Sequence, residues 1–133
     1  MAPVSAPGSR SLELVLPAVP ASVSHARRAV ASMLDRLDVD LWAVQIVVSE
    51  AVANAVVHAY PDRAPGQVRL EAWLDDELLT VVVADDGVGM SSGRGSRGLG
   101  EGLAVIRRLA REVEVHSRDG TRLVMRLRLG GGA

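Results

Sequence analysis

Three polar residues stand four apart in an otherwise apolar run: Glu50, Asn54 and His58 in VVSEAVANAVVHAY, residues 47 to 60. In a helix that spacing puts all three on one line. A Glu among Val and Ala is costly to bury unpaired, and Asn is a weak helix former away from the ends. The line therefore either faces solvent or presents its polar groups to a ligand. A second signal is VVVADDGVGM, where a strand-like run ends in Asp85 and is followed by Gly87 and Gly89. An Asp at a strand end can expose its carboxylate, and glycines beside it let a ligand approach the backbone closely. The third is GSRGLGEGLAVI, in which Gly98, Gly100 and Gly102 run into a helical period near Leu103, with Arg94 and Arg97 close by. Freed backbone N–H groups at a helix start make an anion site. A surface helix face, a tight turn and a flexible loop are the plain alternatives to the three signals taken singly.

Hydrophobic periodicity supplies the elements that must hold these residues. SLELVLPA alternates, which predicts a strand over 11–16 ended by Pro17. Pro20 and Ser22 open a helix of about four turns, capped by Ser22 or Ser24, with Ala26, Val30, Met33, Leu34 and Leu37 on one face. Asp38 or Asp40 caps a second helix that runs to about Tyr60 and carries the polar line; Pro61 ends it. Strands follow at 68–74 and 78–85 around a short hairpin, then a helix from near Leu103, then two strands, VEVHS and RLVMRLRL, joined by a turn. The Pro- and Ser-rich residues 1–10 read as a flexible tail, 11–129 as a single domain and 130–133 as a second tail. The order of elements predicts an α+β two-layer sandwich: a mixed, mainly antiparallel sheet with helices on one face.

Composition narrows the function classes. With 133 residues, 48% of them hydrophobic, the chain can enclose one core. It has no Phe, two Trp and one Tyr, so the core is aliphatic and a base-stacking surface is disfavoured. A net charge of -1 argues against direct nucleic-acid or membrane partners. The absence of Cys excludes disulfides and thiolate metal sites. The opening residues lack the pattern of a signal peptide, which predicts a cytoplasmic protein. No G-K-[ST] follows the glycines, as a Walker loop requires, and no strand leads directly into G-x-G-x-x-G, as a Rossmann fingerprint requires.

Taken together and in this order, the three signals resemble the GHKL ATP-binding superfamily of gyrase, histidine kinases and MutL. EAVANAVVHAY is similar to its N box, DDGVG to its G1 box and GLGEGLAVI to its G2 box. The wording SEAVANAVVHAYP and the short chain resemble the anti-sigma-factor serine kinases of the RsbW and SpoIIAB type. The resemblance implies ATP and Mg²⁺ as cofactors, Glu50 as general base and Asn54 as a Mg²⁺ ligand. It implies that Asp85 accepts a hydrogen bond from the adenine amino group and that Gly87 and Gly89 admit the base and ribose. Gly98, Gly100 and Gly102 would wrap the phosphates as a lid with Arg97 as a phosphate contact, and Thr121 would lie near the adenine. His58 would anchor the helix end rather than touch ATP.

The implied function is a protein-serine/threonine kinase and anti-sigma factor acting on a STAS-domain anti-anti-sigma protein, with a sigma factor as a further partner and a homodimer as a family habit. A non-catalytic ATP-binding regulator is the rival from another class. A histidine-kinase domain is a third reading, set against His25, whose surroundings lack an H-box pattern of acidic residues, Arg and Pro.

Overall fold

The computed structural model describes residues 10–59, 66–87 and 96–129. Five strands and three helices follow in the order β1 (Arg10–Pro17), α1 (Ala21–Met33), α2 (Leu41–His58), β2 (Gln67–Asp75), β3 (Leu78–Asp85), α3 (Ser96–Leu109), β4 (Glu112–His116) and β5 (Thr121–Arg128). The strands form one sheet in the order β1-β2-β3-β5-β4. Every neighbouring pair is antiparallel, where the sequence allowed a mixed sheet. Arg10, expected in the tail, pairs with Leu74 as the first residue of β1. The remainder of both expected tails lies outside the described residues.

Alternation explains which face the sheet buries. Leu16 of β1, Val68, Leu70 and Ala72 of β2, Leu79, Val81 and Val83 of β3, and Leu123, Met125 and Leu127 of β5 all enter one core with the helices. β3 is the central strand, and its run LLTVVVAD is buried on both faces: Thr80 and Val82 are covered on the side away from the core. Elsewhere that outer face mixes charged residues with apolar ones, among them the exposed Val15 and the buried Val124. Arg126 of β5 donates to Glu114 of β4 at 2.6 Å and to Glu112 at 3.3 Å, an exposed cross-strand cluster. The Arg126 guanidinium, with His116 beside it, holds the Glu114 carboxyl below its usual range.

α2 is the middle helix, packed against α1 on one side and α3 on the other. Val44, Val47, Val48, Ala51, Val52 and Ala55 point into the core. Asp40 caps it by accepting from the Trp42 backbone N–H at 3.0 Å, one of the two caps expected. By length and composition alone α2 could cross a bilayer, but its core-facing residues are packed against the sheet and its neighbouring helices. At α1 the expected cap is absent. Pro20 occupies the cap position without a side-chain bond, and Ser22 lies inside the helix, where its hydroxyl donates to the Pro17 carbonyl at 2.6 Å. The far end of α1 is held by Arg10, which donates to the carbonyls of Met33 at 2.9 Å and Asp35 at 2.7 Å.

α3 departs most from expectation. It begins at Ser96 rather than near Leu103, so Gly98, Gly100 and Gly102 are helical. Glycine opposes helix by propensity, but packing against α2 decides the outcome: Ile106 is fully buried, and Leu103 and Leu109 pack on the core.

Leu70 is fully buried at the centre of this core. Leu70→Ala should lower stability by about 2–5 kcal/mol, read as a lower urea midpoint with an unchanged slope. Asp40→Ala should cost about 1 kcal/mol through the lost cap.

Candidate functional site

The C-terminal half of α2 and the ends of β3 and β5 enclose a small pocket, about 20 Å³, lined by Ala51, Asn54, Ala55, His58, Ala59, Val83, Asp85, Thr121 and Leu123. Helical spacing supplies one wall twice over. Asn54 and His58 form a polar line, and Ala51, Ala55 and Ala59 form a line of small side chains beside it. Those alanines open space next to the polar groups, and that regular spacing was the sequence signal for this wall. β3 and β5 supply the other wall, because their antiparallel register sets Asp85 opposite Thr121.

Asp85 is 7% exposed. Its Oδ1 accepts from the backbone N–H of Gly87 at 2.9 Å and of Thr121 at 3.3 Å. Oδ2 is left without a donor among the described residues. Burial pushes the carboxyl above its ordinary value, against the opposing pull of those two backbone N–H groups. An acceptor held this way, at the end of a buried strand, suits a neutral N–H donor of a ligand.

Two glycines close the pocket walls. A side-chain carbon on Gly87 would overlap the backbone carbonyl of Ala59, so only glycine lets the turn after β3 meet the end of α2. Gly120, at φ 106° in the β4–β5 turn, sits against the backbone of Asp85, where a side-chain carbon would overlap the carbonyl oxygen. The resemblance put Thr121, directly after this turn, near the adenine, but nothing local singled out Gly120 or showed which strand end it would touch.

Glu50 and Asn54 meet a third glycine. A methyl carbon on Gly102 of α3 would lie 2.9 Å from Glu50 Oε1 and 3.1 Å from Asn54 Oδ1. The Asn54 amide nitrogen is buried without a hydrogen-bond partner. An orphaned buried donor is costly unless a ligand or water completes it. The structure therefore brings together Glu50, Asn54, Gly102, Asp85, Gly87 and Thr121, and adds His58, which lines the pocket rather than only ending the helix. Gly89 lies outside the described residues. Arg97, Gly98 and Gly100 are placed only as backbone in the first turns of α3. Among the described residues no three His, Asp or Glu cluster as a metal site, so a cation here needs oxygens from its ligand as well as from the chain.

Residues 16–127 match the family model of the histidine kinase-like ATPase domain, and the chain belongs to that family. Within it, the chain is similar to the anti-sigma F factor of Clostridium novyi, 31% identical over 122 residues that cover 80% of this chain and 85% of that protein. The anti-sigma F factor of Bacillus subtilis is 34% identical over 83 residues, 60% of this chain and 57% of that protein. The solved structure of the RsbU and RsbW domains of a Mycobacterium tuberculosis protein superposes with a TM-score of 0.72 at 23% identity, over 90% of this chain and 32% of that one. The histidine kinase domain of a blue-light-activated kinase from Erythrobacter litoralis gives 0.55 at 24% identity, over 86% of this chain and 62% of that one. Both structures support the fold alone.

Asp85→Asn separates binding from stability. The raised pKa means that folding favours the protonated over the ionised carboxyl, so its contribution to stability falls as pH rises from the ordinary carboxylate range through the folded value. The amide removes that penalty at neutral pH and can still accept the two backbone bonds. The variant should melt no lower than wild type at pH 7, and its stability should decline less with rising pH above about 4. ATP affinity should fall by about 1.5–3 kcal/mol, roughly 10- to 100-fold, by calorimetry.

Proposed function

We propose that the protein is an ATP-dependent protein-serine/threonine kinase and anti-sigma factor, whose substrate is a STAS-domain anti-anti-sigma protein in a partner-switching system. The observation that carries this reading is that Asn54 and Asp85 line one pocket, with the Glu50 carboxylate beside Asn54 at Gly102 of α3. The similarity to anti-sigma F factors supplies the class of partner.

On this reading Asp85 accepts a hydrogen bond from the adenine amino group, with Gly87, Gly89 and Thr121 around the base. Asn54 would hold Mg²⁺ through its side-chain oxygen. When bound, Mg²⁺ supplies charge neutralisation at the phosphates. Arg97 and Gly98, at the start of α3, face the phosphates, where helix N–H groups lack internal partners. The amides of Gly100 and Gly102 lie further into the helix, so their part is to allow close approach.

Glu50 orients the serine or threonine hydroxyl of the protein substrate and takes its proton as the oxygen attacks the γ-phosphorus, while the bond from that phosphorus to the β,γ-bridging oxygen breaks and ADP leaves. A sigma factor is the second partner, bound in alternation with the anti-anti-sigma protein. The protein works in the cytoplasm, as a homodimer, without direct contact to nucleic acid or membrane.

Glu50→Gln and Asn54→Ala should fail differently. The Gln side chain keeps the size of Glu but accepts no proton, so transfer to the STAS partner should drop about 10²–10⁴-fold while Mg-ATP affinity stays near wild type. Asn54→Ala should lose transfer together with the Mg-dependent part of ATP affinity. Radiolabelled ATP and calorimetry read both. If wild type binds ATP and partner but labels no STAS protein of its own genome, the non-catalytic regulator becomes the better reading.

A further inference from the structure

Gly102 stands where helix stability argues against it. It is in the interior of α3 (Ser96–Leu109), where glycine is among the poorest helix formers. Among the described glycines only Gly120 has a positive φ, so backbone conformation does not require glycine at 102. Space does. The carbon it lacks would sit 2.9 Å from Glu50 Oε1, 3.1 Å from Asn54 Oδ1 and 3.6 Å from Asn54 Nδ2.

The atoms it faces set Gly102 apart from Gly87 and Gly120. Those two press on backbone, so a side chain there must move the chain itself. Gly102 presses on the ends of two side chains. A methyl group at 102 can be accommodated by swinging the Glu50 carboxylate and the Asn54 carboxamide aside, with α2 and α3 left in place. The Asn54 amide nitrogen is buried without a partner among the described residues. Contact with α3 therefore limits where these two groups can lie.

We propose that Gly102 is a positioning residue, which sets the Glu50 carboxylate and the Asn54 carboxamide in their working places by direct contact with the α3 backbone. Its role in turnover rests on the kinase reading above; the contact itself does not. The helix keeps a weak former at this point because any side chain would displace the proton acceptor and the metal ligand. A phosphate-wrapping glycine predicts loss of Mg-free ATP affinity on substitution, whereas a positioning glycine predicts loss of turnover.

The test is Gly102→Ala in the full chain, with transfer kinetics and thermal melting. Alanine improves helix propensity, so the melting temperature should hold or rise. The turnover number for transfer to the STAS partner should fall, on the order of 10²-fold for a displacement near 1 Å, with loss of the Mg-dependent part of ATP affinity and little change in Mg-free ATP affinity. Unchanged turnover overturns the proposal, and so does a loss confined to KM. A melting cycle decides the contact without any activity. In a Glu50→Ala/Asn54→Ala background nothing remains to be displaced, so Gly102→Ala should raise the melting temperature by more than it does in wild type. Equal shifts in the two backgrounds overturn the contact. Should wild type itself transfer no phosphate, the kinase reading falls, and the melting cycle still decides whether position 102 holds these side chains.

Discussion

The packing of α2 is the constraint on which the rest depends. One side of this helix, Val44, Val47, Val48, Ala51, Val52 and Ala55, is locked into the core. A residue one step round the helix then has no freedom to choose its neighbourhood. Once the valines are seated on the sheet, Asn54 and His58 must face the space beside β3 and β5, and Glu50 must lie one turn earlier on the same line. A buried Val or Ile side chain contributes about 1.5–3 kcal/mol, so six small apolar contacts fix the rotation of the helix firmly. Positioning of the polar line is thus a by-product of core packing, and it needs no hydrogen bond to Glu50 or Asn54.

Against that rigid base the site holds several locally unfavourable features. Asp85 is a buried carboxyl whose burial raises its pKa. The Asn54 amide nitrogen is an unpaired buried donor. Gly102 weakens the helix that carries it. Each costs folding energy, and all lie around one pocket or its rim. Ser49 Oγ, outside the pocket lining, is a further buried group without a partner among the described residues; three unfavourable features around one pocket mark it as the candidate ligand site. The glycines divide the labour: Gly87 and Gly120 let backbones touch and shape the walls, and Gly102 leaves room for side chains.

Membership of the histidine kinase-like ATPase family gives these features a common cause, because a nucleotide site must be open enough to admit its ligand and polar enough to read it. The fold is shared with RsbW and histidine kinase domains, so it does not by itself choose the acceptor of a phosphoryl group.

The sequence by itself determined the element types, most of their boundaries, and the polar line on α2, because these follow from local periodicity and turn chemistry. Strand alternation and the Asp40 cap were legible for the same reason, and so were Asp85 and Gly87 at the end of β3. Where local signals conflicted with packing, the reading failed. Three glycines argued for a loop up to Leu103, yet burial of Ile106 against α2 carries the helix back to Ser96. Ser22 has the chemistry of a cap but turns to the Pro17 carbonyl instead. Only the tertiary structure decided that Gly120 reaches Asp85, that the Thr121 N–H donates to Asp85, that His58 lines the pocket, and that Gly102 faces Glu50 and Asn54. Gly120 lies 35 positions from Asp85 and Gly102 lies 52 from Glu50, so no local pattern joins them. Sheet register and helix rotation set them, and both are fixed by the sum of core contacts and by no residue's own preference.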